Sequence, residues 1–229
     1  MINFHLVYTE QILSSLRWLG IIPTNKPVYQ SNQINKHHKI VNKLLSRDKA
    51  YPCYCTPEEL NLERETTKKL RLASYHYSGK CKSLTKEEIR RKKEDGNLYC
   101  IRLKIPDGVT VWDDGVYGKI KIKNDQIDDF IILRRDSSPT YMLAVVVDDL
   151  DMEITHIIRG EDHLTNTAKQ ILIYQALMSN IPNFTHLPLI LGSDKKKLSK
   201  RHNAPSLTDF QMKGLHPQAV LLYLGQLGW

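Results

Sequence analysis

Nowhere in the 229 residues do about 18 uncharged apolar residues follow one another, the length a helix needs to cross the hydrocarbon of a bilayer. The N-terminus, Met1-Ile2-Asn3-Phe4-His5, has neither the basic flank nor the small-residue cleavage site of a secretory leader. Only four cysteines are present, three of them at positions 53, 55 and 81, which is not the dense framework of a disulfide-stapled secreted domain. Internal repeats and low-complexity segments are also missing, which excludes a solenoid. These absences predict a soluble, unprocessed cytoplasmic protein, read here as a monomer without a membrane partner. Apolar residues make up 41% and charged residues 25%, so wholesale disorder is excluded, and the length suits one large or two modest domains.

What the chain has in excess is positive charge. Thirty-three Lys and Arg against 25 Asp and Glu give +8, a balance that attracts polyanions because each neutralised phosphate releases condensed counterions. Nucleic acid is therefore the leading partner class. The basic run Lys86 to Lys93 fits an RNA contact or a solvated helix surface equally well, and His37-His38 reads as the solvated face of a basic helix.

Periodicity gives the organisation. Thr9 can cap a helix carrying Ile12, Leu13, Leu16 and Leu19, stopped by Gly20, and a second helix follows from Ser31 to near Asp48. After Tyr51-Pro52-Cys53-Tyr54-Cys55 comes a charged stretch with a capping box, Thr85 to Glu88, and a stop at Gly96. From Leu98 the period drops to two through Tyr99, Ile101, Leu103 and Ile105, then Val109 to Trp112 and Lys119 to Ile122, which predicts an antiparallel sheet. Beyond the turn Asp136 to Pro139 come an apolar segment from Tyr141 to Val147, a strand at 154–158, a helix from about Asn166 to Met178 and a strand at 187–191. That rhythm is a βαβ unit and implies parallel pairing. Cys100 alternates within a strand and reads as a small buried hydrophobe.

Two segments carry chemistry. Five cations lie between Lys195 and Arg201, where a loop beyond a strand can reach nucleotide phosphates and stabilise developing charge. Arg159-Gly160-Glu161-Asp162-His163 follows an apolar strand directly, the place where open α/β sheets bind ligands. Thr155 through His163 and Lys197-Leu198-Ser199-Lys200-Arg201 together resemble the active-site loop and mobile ATP signature of the glutamyl-tRNA synthetases, class I enzymes that join glutamate to tRNA with ATP. Tyr141 through Asp149, His186-Leu187-Pro188-Leu189 and Leu16-Arg17-Trp18-Leu19-Gly20 are similar too, in the same order, so the resemblance covers nearly the whole chain.

The resemblance implies an α/β fold: a class I, Rossmann-like nucleotide-binding core, incomplete at its N-terminus, with an inserted α+β acceptor-binding domain. The expected division is 1–49 helical core, 50–136 insertion, 137–192 second half of the core, and 193–229 signature loop with the start of a stem-contact region. It further implies glutamate activation to glutamyl-adenylate and transfer to tRNA(Glu) in protein biosynthesis, with ATP as substrate and Mg2+ on its phosphates. Tyr141 and Arg159 would contact glutamate, Arg159 through a bidentate guanidinium fork. Glu161 and Asp162 would hold the substrate amine and the ATP ribose, and Lys197, Ser199 and Lys200 the triphosphate, with Lys197 and Lys200 catalytic. Asn203 departs from the family, which has glycine there.

Cys53, Cys55 and Cys81 suit a tetrahedral Zn2+, which takes about four N, S or O ligands. The fourth ligand is Tyr77, by resemblance to relatives with Tyr-x-x-x-Cys, or else His76; three reduced cysteines without metal are the alternative. None of the nine histidines has glycine two residues later, so the family's His-x-Gly-His signature is expected before Met1 and its anticodon-reading domains after Trp229. The expectation is a synthetase fragment, inactive alone. Two rivals stay open: a paralogue that glutamylates a modified base in tRNA(Asp), the glutamyl-Q type, and a non-catalytic tRNA-binding remnant.

Overall fold

The structure, a computed structural model, describes residues 2–69, 76–192 and 206–227, with backbone alone at 2–6. The chain forms two compact units, one from residues 1–28, 160–162 and 187–229, the other from 29–159 and 163–186. No helix among the described residues is long and apolar enough to cross a membrane.

In the first unit, α1 (Ile2–Trp18) begins well before the expected cap at Thr9 but stops where expected. Gly20 takes φ 81°, and Ile21 and Gly20 donate to the carbonyls of Leu16 and Arg17, which closes the helix in a Schellman turn. Near the other end, α7 (Leu207–Met212) starts from a capping box of Ser206 and Asp209, and α8 (Pro217–Gln226) opens on a proline at its first position.

The second unit holds two sheets and the main core. Strands β1 (Ala50–Cys53), β2 (Cys100–Leu103) and β5 (Ile131–Leu133) form an antiparallel sheet in the order β1-β2-β5. Strands β3 (Val109–Asp114), β4 (Gly118–Lys123), β6 (His156–Gly160) and β7 (Asn183–Leu187) form a second, in the order β4-β3-β7-β6. Here β3 pairs antiparallel with β4 and parallel with β7, so strands from either side of residue 136 lie side by side. Helices α2 (Ile34–Ser46), α5 (Tyr141–Asp151) and α6 (Leu164–Leu177) supply the rest of the core. Leu44, Leu103, Ile132, Leu143, Val146, Ile171, Ile173 and Phe184 pack there, each worth roughly 1.5–3 kcal/mol when removed from water. The charged stretch forms α3 (Pro57–Lys69) and α4 (Lys86–Glu94); α4 has the expected Thr85–Glu88 capping box and the stop at Gly96, φ 73°.

Five expectations need correction. The strand expected at 187–191 is β7 at 183–187, and the one expected at 154–158 is β6 at 156–160. In β7 the inward residues are Phe184 and His186, and a buried histidine breaks the apolar signature that marks a strand. The alternation in β3 runs opposite to its hydropathy: Thr110, Trp112 and Asp114 are buried while Val109 and Val111 are exposed. Thr110 is satisfied by donating to Asn124 Oδ1 at 2.7 Å. Strand β2 is buried on both faces, so its residues do not alternate. His37 is not on a solvated face: it is fully buried, its Nε2 3.1 Å from Asp148 Oδ1, while His38 Nε2 lies 2.7 Å from the carbonyl of Ser137.

One glycine bears directly on the site. A Cβ on Gly115 would lie 2.4 Å from Thr185 Oγ1, so only glycine lets the end of β3 approach β7 this closely. Gly115 N then donates to the carbonyl of Phe184 at 2.9 Å, and Asp114 arrives beside His186.

Candidate active site and thiol cluster

Arg159 is the penultimate residue of β6, with its guanidinium partly buried against β7 and α6. Three of its five N–H groups are spent inside the protein. Nε donates to His186 Nε2 at 3.2 Å, and Nη2 donates to Thr167 Oγ1 at 2.6 Å and Gln170 Oε1 at 2.8 Å. Thr167 and Gln170 are three apart on α6 and so share a face. The Phe184 ring lies 5.5 Å from the guanidinium carbon. Burial draws the Arg159 pKa below its ordinary value, while Tyr141 and Asp149 favour the charged form, and a guanidinium stays protonated in proteins. What remains for Tyr141 and for a ligand is Nη1 with its two N–H groups, so in this arrangement the two-nitrogen fork expected from sequence is not available.

Tyr141 opens α5 and is 46% exposed, its ring 6.1 Å from that of His163. Glu161 and Asp162 lie in the 3-10 turn that directly follows β6. Glu161 Oε1 accepts from Leu189 N at 3.2 Å, and a Cβ on Gly160 would meet Asp162 Oδ1 at 2.6 Å, so glycine there leaves room for the Asp162 carboxylate. Lys197, Ser199 and Lys200 lie outside the described residues, as does Asn203.

The residues that sequence reasoning missed are Asp114, Thr167 and Gln170, together with the role of His186. His186 Nδ1 is 2.5 Å from Asp114 Oδ2, and both residues are buried. Burial alone would raise the Asp114 pKa, but hydrogen bonds from His186 and from the backbone N–H groups of Val116, Tyr117 and His186 lower it to about 2. A faint signal existed in Thr167 and Gln170, two polar residues spaced i, i+3 among the nine buried residues of α6.

A second constellation is built on β1. The sulfurs of Cys53, Cys55 and Cys81 lie within 4.8 Å of one another, all buried. Cys81 sits in the 3-10 turn Lys80–Ser83, entered through Gly79 at φ 73°. The Tyr77 hydroxyl is 3.2 Å from Cys53 Sγ and 3.3 Å from Cys55 Sγ, and Tyr54 N donates to Cys81 Sγ at 3.4 Å. Hydrogen bonds led by that with Cys100 hold the Cys53 thiol well below its ordinary pKa, while contact with Cys53 and burial push Cys81 up. Four donors of the S3O type converging at this spacing fit a tetrahedral zinc, whose Zn–S bonds are about 2.3 Å. His76 instead places Nδ1 2.9 Å from Asp128 Oδ1. Cys100 is buried as expected and donates to the Cys53 carbonyl at 3.6 Å.

Comparison with known proteins decides the family. The family model described as tRNA synthetases class I (E and Q), catalytic domain, matches residues 5–229. The chain belongs to this family. Among relatives, the glutamate–tRNA ligases of Coprothermobacter proteolyticus and Aquifex aeolicus are 46% and 49% identical over 223 residues, 96% and 97% of this chain. The match covers 48% and 47% of those proteins, so the chain spans about half the length of the curated relatives it matches. The crystal structure of a glutamate tRNA ligase from Elizabethkingia meningosepticum in complex with its amino acid superposes with a TM-score of 0.82 at 30% identity, covering 93% of this chain and 49% of that one. The mixed α/β architecture expected for a class I synthetase core is the one observed.

Proposed function

We propose that the chain carries the glutamate-activating part of a cytoplasmic, monomeric glutamate–tRNA ligase of protein biosynthesis, which makes glutamyl-adenylate from glutamate and ATP and passes the glutamyl group to tRNA(Glu). The observation that carries this reading is the match of 223 residues, at nearly half identity, to proteins named glutamate–tRNA ligase. In the adenylation step a glutamate carboxylate oxygen attacks the α-phosphorus of ATP and pyrophosphate leaves. Little of this is covalent work for the protein, whose share is positioning and charge stabilisation, with magnesium on the phosphates. Arg159 presents a fixed cation to a substrate carboxylate from a partly desolvated position, where the attraction is stronger than in water. Tyr141 lines the same place, Glu161 and Asp162 take the substrate amine and the ribose, and Lys197, Ser199 and Lys200 engage the triphosphate.

Cys53, Cys55, Cys81 and Tyr77 are the residues that would hold zinc. Bound there, the metal supplies a structural crosslink between β1 and the 76–83 segment. The test of the substrate reading is Arg159→Lys in the full-length protein, assayed with ATP, glutamate and tRNA(Glu). A lysine cannot make the bonds to His186, Thr167 and Gln170 and still present a nitrogen outward, so the KM for glutamate rises at least tenfold while that for ATP stays within a factor of a few. An unchanged KM for glutamate removes Arg159 from the pocket.

A further inference from the structure

The guanidinium of Arg159 is held by a buried chain of polar groups that begins far from it in sequence. Asp114 ends β3, His186 lies in β7, and Thr167 and Gln170 lie in α6. Asp114, His186, Thr167 and Gln170 are each at most 5% exposed. The sense of the hydrogen bonds along this chain is fixed by one proton. Arg159 can only donate, so His186 Nε2 offers its lone pair, to which the Thr167 hydroxyl 2.9 Å away can donate as well, and the ring proton sits on Nδ1. Asp114 Oδ2, 2.5 Å from Nδ1, is the group that keeps it there. The carboxylate is itself locked: Oδ1 accepts from the backbone N–H groups of Val116 and Tyr117 at 3.1 Å each and of His186 at 3.2 Å. The same logic fixes Gln170, whose Oε1 must face Arg159, because the reversed amide would set two donors against each other.

We infer that Asp114 and His186 are positioning residues for substrate recognition. Asp114 sets the His186 tautomer, the His186 lone pair takes Arg159 Nε, and with Thr167 and Gln170 occupying Nη2 the guanidinium is turned so that Nη1 is the nitrogen offered to a substrate carboxylate. This rests on the reading of Arg159 as the glutamate-binding arginine. It also accounts for Gly115, whose missing side chain lets β3 come close enough to β7 for Asp114 to reach His186.

Asp114→Asn tests it with little disturbance of shape. The asparagine carbonyl can still accept from the backbone at 116, 117 and 186, but its amide donates to Nδ1 and drives the ring proton onto Nε2, where it opposes Arg159 Nε–H. In the full-length protein, nitrogen NMR of the His186 ring is expected to report protonated Nδ1 and unprotonated Nε2, reversed in D114N. The KM for glutamate rises tenfold or more in D114N, with the KM for ATP little changed and the melting temperature lowered by no more than roughly 4–8 °C. In the Arg159→Lys background D114N adds less than threefold, because its effect passes through Arg159. A wild-type His186 protonated on Nε2 overturns the inference whether or not the variant folds. An unaltered glutamate KM in D114N beside an impaired Arg159→Lys overturns it and leaves the glutamate reading standing. An unaltered KM in Arg159→Lys removes the reading and the inference together.

Discussion

Removal of the zinc proposed for the thiol cluster has a consequence whose size follows from binding linkage. Three sulfurs within 4.8 Å and a phenol 3.2–3.3 Å from two of them join β1 to the segment 76–83, which is also held by a small cluster around Tyr51, Tyr54, Leu60 and Leu84 and by polar contacts such as His76–Asp128 and Lys80–Glu59. A ligand that binds only the folded state stabilises by RT ln(1 + [L]/Kd), about 4 kcal/mol when free zinc exceeds Kd a thousandfold. At ~2–4 °C per kcal/mol for a domain of this size, chelation lowers the melting temperature by roughly 8–16 °C. Elemental analysis of protein purified without added metal finds about one zinc per chain, which Cys81→Ser abolishes and Cys100→Ser retains. Hydrogen exchange after chelation speeds up at residues 50–55 and 76–84 and is unchanged in α6. Replacing Tyr77 by Phe weakens binding if its hydroxyl is the fourth ligand. Wild-type protein without zinc, with Cys53, Cys55 and Cys81 freely titratable and a melting temperature indifferent to chelator, refutes the reasoning.

Other outcomes follow from the same site. Lys200→Ala in the full-length protein lowers the adenylation rate by about two to three orders of magnitude with glutamate affinity hardly changed, on the scale of losing one donor to developing charge; equal losses in both contradict a role on the triphosphate. Asp114, lowered from an ordinary 3.8 to about 2, contributes about 2 kcal/mol of stability, fully present above pH ~4 and lost as the pH falls through 2. Acid denaturation of D114N therefore shows a shallower slope between pH 4 and 2 than the wild type, and parallel curves contradict the assignment.

Much of the local structure was legible because it is written in neighbouring residues. The Thr85–Glu88 capping box and the stops at Gly20 and Gly96 are short-range chemistry, and they appear where the residues put them. The reading failed where tertiary pairing reverses hydropathy. His37 reads as a surface residue, and nothing local marks His186 as buried, until Asp148 and Asp114, more than 70 positions away, are found to partner them. Thr110 and Asp114 face inward in β3 because Asn124 and His186 satisfy them there. The site was legible in the same uneven way. Arg159 stood out by its place after a strand, but the three bonds that orient it come from β7 and α6, and no local pattern reports them.

The central claim is that this site activates glutamate. Pyrophosphate exchange into ATP by the full-length protein with tRNA(Glu), compared across glutamate, glutamine and aspartate, tests it most directly. Exchange that depends on glutamate, with glutamine and aspartate lower by at least a hundredfold, is the expected result; preference for glutamine, or exchange with none of the three, contradicts it.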